Sequence, residues 1–168
     1  MTQILILIVV VLSAAYLGAS IYKGKRVPES ISETSYIWEQ DCKNQNTSNG
    51  SHKAHLFSLY CAIIAALLFW SWMSATHENF KFLCFLGCTG ILGAAMTPFF
   101  KEKYQAPIHY GGGILAVICW VAWTLCVGHF IELVAALVMI FLLIMYKKES
   151  YVFWVEVVGL VMLLYCIY

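Results

Sequence analysis

Apolar and polar residues along this chain fall into long blocks rather than short periods. Apolar runs cover Ile4–Tyr22, Ala54–Ala75, Phe80–Phe100, Ile108–Tyr146 and Tyr151–Tyr168. A membrane-spanning helix takes about 20 mostly apolar residues, so four of these blocks read as one crossing each. The run from Ile108 is too long for one crossing, and Gly128-His129 interrupts it near the middle. It splits into Ile108–Val127 and Phe130–Tyr146. The pattern predicts an all-α fold, a single-domain polytopic membrane helix bundle. Its transmembrane helices, about six by this pattern, fall at 4–22, 54–75, 80–100, 108–127, 130–146 and 151–168, with a polar loop at 23–53.

Composition strengthens this reading. The chain is 62% hydrophobic and 11% charged, against about 45–50% and about 25% in soluble domains. Its mean hydropathy is +0.80. Net charge is +1, which gives no pull on polyanions, so no nucleic-acid partner is expected. The placement of the basic residues says more than their sum. Lys23, Lys25, Arg26, Lys43 and Lys53 lie in the first loop, Lys101 and Lys103 in the third, and Lys147 and Lys148 in the fifth. Only Lys81 falls at a boundary of the opposite side. The positive-inside rule then makes loops one, three and five cytoplasmic and puts both termini outside, in a plasma (inner) membrane. Met1–Gln3 carries no basic residue and the charges follow the apolar run. That reverses the order of a secretory leader, so the first segment is expected to remain as an anchor. Trp70 and Trp72 at one face, and Tyr146, Tyr151 and Trp154 at the other, suit interfacial belts.

The polar loop has two halves. Ser30 and Glu33 have capping-box spacing, and Val27, Ile31, Ile37 and Trp38 are placed to lie on a membrane surface. Asn44–Ser51 reads as a flexible loop with the sequons Asn46-Thr47-Ser48 and Asn49-Gly50-Ser51.

Ionisable groups inside a membrane are costly, so each is a functional candidate. Glu156 lies about a turn and a half into the last helix. It serves either as a structural partner of a hydroxyl or histidine, or in ligand binding or proton handling. Glu132 and His129 are near enough to the interface to snorkel. The most suggestive constellation is cytoplasmic. Ser30, Ser32, Glu33 and Thr34 come from loop one. Lys101, Lys103 and Pro107 lead into His109-Tyr110-Gly111-Gly112-Gly113. Glycines at a helix start admit a close neighbour, either another backbone or an anionic head group. The expected binding cluster is Ser30, Ser32, Glu33, Lys101, Lys103, His109, Tyr110 and Glu156. Being on one side of the membrane lets Ser32 and His109 be neighbours, and the His109 imidazole can meet the Glu156 carboxyl if their helices pack side by side. Gly87, Gly90 and Ala94, with Cys84, Cys88 and Ala95 beside them, form a small-residue strip for close helix packing.

Six of the seven cysteines fall in apolar runs and read as small packing residues. His52 and His55 are three apart, but no carboxylate or cysteine cluster completes a zinc site. No H-E-x-x-H, G-x-S-x-G or P-loop occurs, so no metal and no cofactor is expected.

The motifs Pro28–Thr34 after the first helix and His109–Gly113 opening the fourth, together with the helix number, resemble the DRAM/Frag/Sfk-like small six-helix membrane proteins and their bacterial relatives. That resemblance implies a role in lipid and membrane homeostasis. The leading expectation is a lipid-interacting or regulatory membrane protein without enzymatic activity, with membrane lipid as partner and a homo-oligomer as a further option. The alternatives are a small transporter or oligomeric channel using Glu156, or an intramembrane lipid enzyme using His109 with Glu156.

Overall fold

A computed structural model describes residues 1–44, 51–98, 100–146 and 150–168, with the side chains of 40–44 and 51–54 outside the description. Both sequons, Lys147 and Lys148, and the side chains of Cys42, Lys43, His52 and Lys53 therefore lie outside the described residues.

The described residues are helical, with no strand among them. The helices are α1 (Thr2–Gly24), α2 (Thr34–Asn44), α3 (Ser51–Ser74), α4 (Lys81–Ala95), α5 (Ala106–Val127), α6 (Phe130–Met145) and α7 (Tyr151–Ile167), with a 3₁₀ turn at Glu78–Phe80. Six of them fall on the expected apolar blocks, with α1, α3 and α5 starting two or three residues earlier. The seventh, α2, forms in the polar loop, where the sequence shows only start signals. Among the described residues, three segments are long and apolar enough to cross a membrane, namely Thr2–Gly24, His55–Ser74 and Ala106–Val127. Phe130–Met145 and Tyr151–Ile167 are shorter apolar helices, about 24 and 26 Å long at ~1.5 Å per residue. The run expected at 80–100 yields a helix of only 15 residues. Pro98 explains its end, since the proline ring disfavours helical backbone at the residue before it and proline has no N–H to continue the ladder.

Hydrogen bonds across the ends show that successive long helices alternate in direction. At one end Ser150 Oγ donates to Val27 O at 3.1 Å, and Ser35 Oγ donates to Pro98 O at 2.7 Å. The Phe153 N–H donates to Glu29 O at 2.9 Å. Loops one and three and the start of α7 therefore meet there. At the other end Thr2 Oγ1 is 3.1 Å from Ser74 Oγ, and Trp123 Nε1 donates to Thr76 Oγ1 at 2.8 Å. The Trp123 ring also stacks on His129 there. Gly128, at φ 90°, closes α5 and donates its N–H to Thr124 O. Only glycine adopts that left-handed backbone without strain.

The tightest helix pair is α4 with α5. A Cβ at Gly90 would stand 2.5 Å from Gly112 O, and one at Gly112 would stand 2.5 Å from Gly90 O. The small-residue strip is thus a backbone-to-backbone contact. Gly111 and Gly113 have no such neighbour, so only the middle glycine of the triplet is needed for packing. Gly87 makes room for Trp72, whose ring would lie 2.8 Å from a Cβ there. Trp72 is fully buried edge-on against Trp123. It belongs to the core and not to an interfacial belt, a correction to the expectation. Trp70, Tyr146, Tyr151 and Trp154 are exposed as expected.

Helix α2 is tied back onto α1. Tyr16 Oη is 2.6 Å from Thr34 Oγ1, and Trp38 Nε1 donates to Ser20 Oγ at 3.0 Å. Ile37 is buried against Gly24. Much of the outer surface is apolar. On α6, Phe130, Ile131, Val134, Leu137, Val138 and Phe141 are all more than half exposed.

Candidate functional site

The segment between α1 and α2 folds as a tight turn that delivers polar groups to the bundle. Glu33 is buried and holds this turn together. Arg26 Nη2 donates to its Oε1 at 2.7 Å and Arg26 Nη1 to Oε2 at 3.3 Å, while the Glu29 N–H donates to Oε2 at 2.5 Å. The expected capping box is half formed. The Glu33 N–H donates to Ser30 Oγ at 3.2 Å, but the Glu33 carboxylate reaches Glu29 N instead of Ser30 N. Burial pushes the Glu33 carboxyl up. The Arg26 guanidinium and the Glu29 amide outweigh that and hold it below the usual carboxylate range. Arg26 and Glu29 are absent from the expected cluster, because nothing in the spacing showed that Glu33 would turn inward to meet them.

Two further bonds join this turn to the spanning helices. The Ile31 N–H donates to Glu156 Oε2 of α7 at 2.5 Å, and Ser32 Oγ lies 2.7 Å from His109 Nε2 of α5. Ser32 and His109 are neighbours, as their shared side of the membrane suggests, but the pairing of the Glu156 carboxyl with the His109 imidazole, expected if their helices pack side by side, is not seen. Among the described residues each instead bonds to one of two adjacent residues of the turn. His109 is buried and reaches α4 through its other nitrogen. Nδ1 lies 2.9 Å from Thr97 O and 3.1 Å from Ala94 O. These carbonyls sit where the regular ladder of α4 ends, and Ala94 O also accepts the Thr97 N–H at 3.3 Å. Carbonyl oxygens only accept, so in the neutral imidazole Nδ1 carries the proton and Nε2 accepts from the Ser32 hydroxyl. Phe100 stacks on the imidazole with ring centroids 4.9 Å apart.

Below this rim lies a cavity of about 780 Å³, within the ~300–1,000 Å³ typical of small-molecule sites. Its rim includes Ser30, Ser32, Glu33, Lys101, Tyr110 and Glu156, with His109 just inside. Seven of the eight expected site residues meet there, and His109 is one of them. Lys103 is exposed and does not line it. The walls are apolar, with Phe57, Ile64 and Leu68 from α3, Ile91 from α4, Ile114 and Val117 from α5, and Leu160 and Leu163 from α7. Trp120 also lines it, eleven residues beyond His109 on α5, so it reaches about 16 Å along that helix. Ile114, Val117 and Ile118 line the cavity yet are more than half exposed, which leaves the α5 side of the wall open to the surroundings. The Trp72 and Trp120 indole N–H groups are buried without a hydrogen-bond partner among the described residues, and both line this cavity. The sequence did not point to these two donors, or to Thr97 as the anchor of His109. Each depends on which helices become neighbours.

Glu132 and His129 lie away from this site, 3.4 Å apart at the opposite end of the bundle. Cys61, Cys84, Cys88, Cys119 and Cys166 are buried with free thiols, while Cys126 is exposed. Comparison with protein-family models, with curated proteins and with solved structures finds no match for this chain.

Proposed function

We propose that this protein is a six-span membrane protein that binds a single membrane amphiphile, its apolar chain in the central cavity and its polar group at the Ser32–His109–Glu156 rim. The observation that carries this reading is the cavity itself, an apolar chamber of about 780 Å³ closed at one end by ionisable and hydroxyl groups. That is the shape and polarity of a lipid. Lys101 is the cationic residue on the lining and suits an anionic head group. The open α5 wall gives a chain lateral access from the bilayer. The two unpartnered indole N–H groups offer donors to an acceptor deeper in the site.

Membrane embedding is supported by the exposed apolar faces of α1 and α6, which far exceed the patches that water tolerates. The alternating directions of the long helices support six crossings. The short helices α4, α6 and α7 fit a bilayer that thins around them. The basic loops one and three meet at the rim end, which we read as cytoplasmic. The resemblance to the DRAM/Frag/Sfk-like proteins points the same way.

Gly113 provides the test. It lines the cavity, and a Cβ there meets nothing within 4 Å. Gly113→Phe should therefore fill the chamber without disturbing the α4–α5 contact. Native mass spectrometry after extraction from phosphatidylethanolamine–phosphatidylglycerol bilayers should show bound lipid falling several-fold, with the unfolding transition retained. Unchanged lipid occupancy in a folded Gly113→Phe variant would refute the reading.

A further inference from the structure

Ser32 and His109 have the geometry of a nucleophile and its general base, and we infer that they transfer the acyl group of an ester lipid held in the cavity. This rests on the lipid-binding reading above. A serine hydroxyl is a weak nucleophile until an adjacent base takes its proton, and the base works best when a third group orients it. Here Ser32 Oγ is 2.7 Å from His109 Nε2. Nδ1 is held by the carbonyls of Thr97 and Ala94, at 2.9 and 3.1 Å. Those carbonyls do the orienting that a carboxylate does in the serine-histidine-aspartate triad. They keep the proton on Nδ1 and aim the Nε2 lone pair at the hydroxyl.

The neighbouring hydroxyls of the turn are used differently. Thr34 Oγ1 donates to Ile31 O, Ser35 Oγ donates to Pro98 O, and Ser30 Oγ accepts from the Glu33 N–H. These bonds are to the backbone and stabilise the turn. Ser32 lines the cavity as Ser30 does, but its hydroxyl alone among these meets a base. It is partly exposed, whereas His109 is buried, so a substrate can reach the nucleophile while the base stays shielded. The turn is rigid on either side of Ser32, because the Ile31 N–H is fixed by Glu156 and Glu33 is clamped by Arg26. That rigidity holds a reacting group in place.

In the first half-reaction Ser32 Oγ attacks the ester carbonyl carbon as its proton passes to His109 Nε2. The tetrahedral intermediate collapses with cleavage of the ester C–O bond. The imidazolium proton goes to the departing oxygen, which leaves as the alcohol of the lipid backbone. The acyl group is then an ester of Ser32, its chain in the cavity. In the second half-reaction an oxygen nucleophile, either water or the hydroxyl of an acceptor at the rim, attacks this ester. His109 again takes the proton and returns it to Ser32 Oγ as the acyl–serine bond breaks. The cycle is redox-neutral.

The experiment is labelling of the full-length protein in mild detergent with hexadecyl fluorophosphonate, which phosphonylates activated serines, followed by peptide mass spectrometry. The expected result is one adduct on Ser32, none in Ser32→Ala, and a labelling rate at least about 100-fold lower in His109→Gln, the lower range of general-base contributions. No adduct on the folded wild-type protein, an adduct mapped to another residue, or an undiminished rate in folded His109→Gln would each overturn the inference. If a variant does not fold, the adduct site in the wild type decides alone. Lipid carried by the same samples separates the two readings. Retained lipid with no adduct removes the catalysis and leaves the binding site. Lipid that is equally abundant in wild type and Gly113→Phe removes the binding site itself.

Discussion

Adding one methyl group at Gly90 should weaken the bundle and loosen the site together. The new Cβ would stand 2.5 Å from Gly112 O and 2.8 Å from Ala116 N, where carbon contacts settle near ~3.5–4.0 Å. Both obstacles are backbone atoms, so no rotamer change relieves them. Helices α4 and α5 must separate by about 1 Å, and overpacking of this kind costs about 1–3 kcal/mol. Replacing a helical glycine returns about 1 kcal/mol of propensity. The separation also stretches the bonds from His109 Nδ1 to Thr97 O and Ala94 O, because α5 carries the imidazole while the carbonyls belong to the end of α4 and the residues just after it. Such bonds are worth about 1 kcal/mol each. The net expectation for Gly90→Ala is a loss of about 1–3 kcal/mol, with His109 displaced. The control is Gly111→Ala, where a Cβ meets nothing within 4 Å, and a gain of up to about 1 kcal/mol is expected. Reversible unfolding in mixed micelles, titrated with a denaturing detergent, measures both. A Gly90→Ala variant as stable as the wild type, or a Gly111→Ala variant that is the weaker of the two, would refute the close-packing argument.

Three further expectations follow from the same geometry. Arg26 and the Glu29 amide hold the folded Glu33 carboxyl below its unfolded value, so its stabilisation is complete above the unfolded pKa and lost as pH falls through the folded one. Acid unfolding curves should thus show a loss in that range for wild type that is absent in Glu33→Gln, and identical pH dependence in the two would contradict the clamp. If the rim end is cytoplasmic, as proposed, a membrane-impermeant thiol reagent applied from outside should reach His77→Cys and miss Lys103→Cys, both exposed positions; the reverse pattern inverts the orientation. Glu132 pairs with His129 near the surface of the bundle, so Glu132→Gln should unfold within error of the wild type, and a large loss would show that this carboxylate is structurally required.

The apolar blocks determined that the chain is helical and roughly where each long helix lies, because block length and hydrophobicity act locally and need no partner. Polar residues stranded near helix starts, Ser32, His109 and Glu156 among them, were legible as candidates because burying such groups is costly wherever they occur. Their common side of the membrane allowed Ser32 and His109 to be neighbours, but the sequence could not show which group Glu156 would meet. The expected Glu156–His109 contact is replaced by two bonds to adjacent residues of one turn, an outcome set by how deep that turn enters the bundle. Nor did hydropathy distinguish Trp72 from Trp70, since both are apolar and near a helix end. Only the gap left by Gly87 buries the first. The assignment of His109 Nε2 as an acceptor came from α4 ending beside α5, which places the Ala94 and Thr97 carbonyls at Nδ1. Helix identity is a property of consecutive residues, whereas the cavity and its rim depend on contacts such as Ser32 with His109, 77 positions apart. Those contacts exist only once close packing has chosen which helices are neighbours.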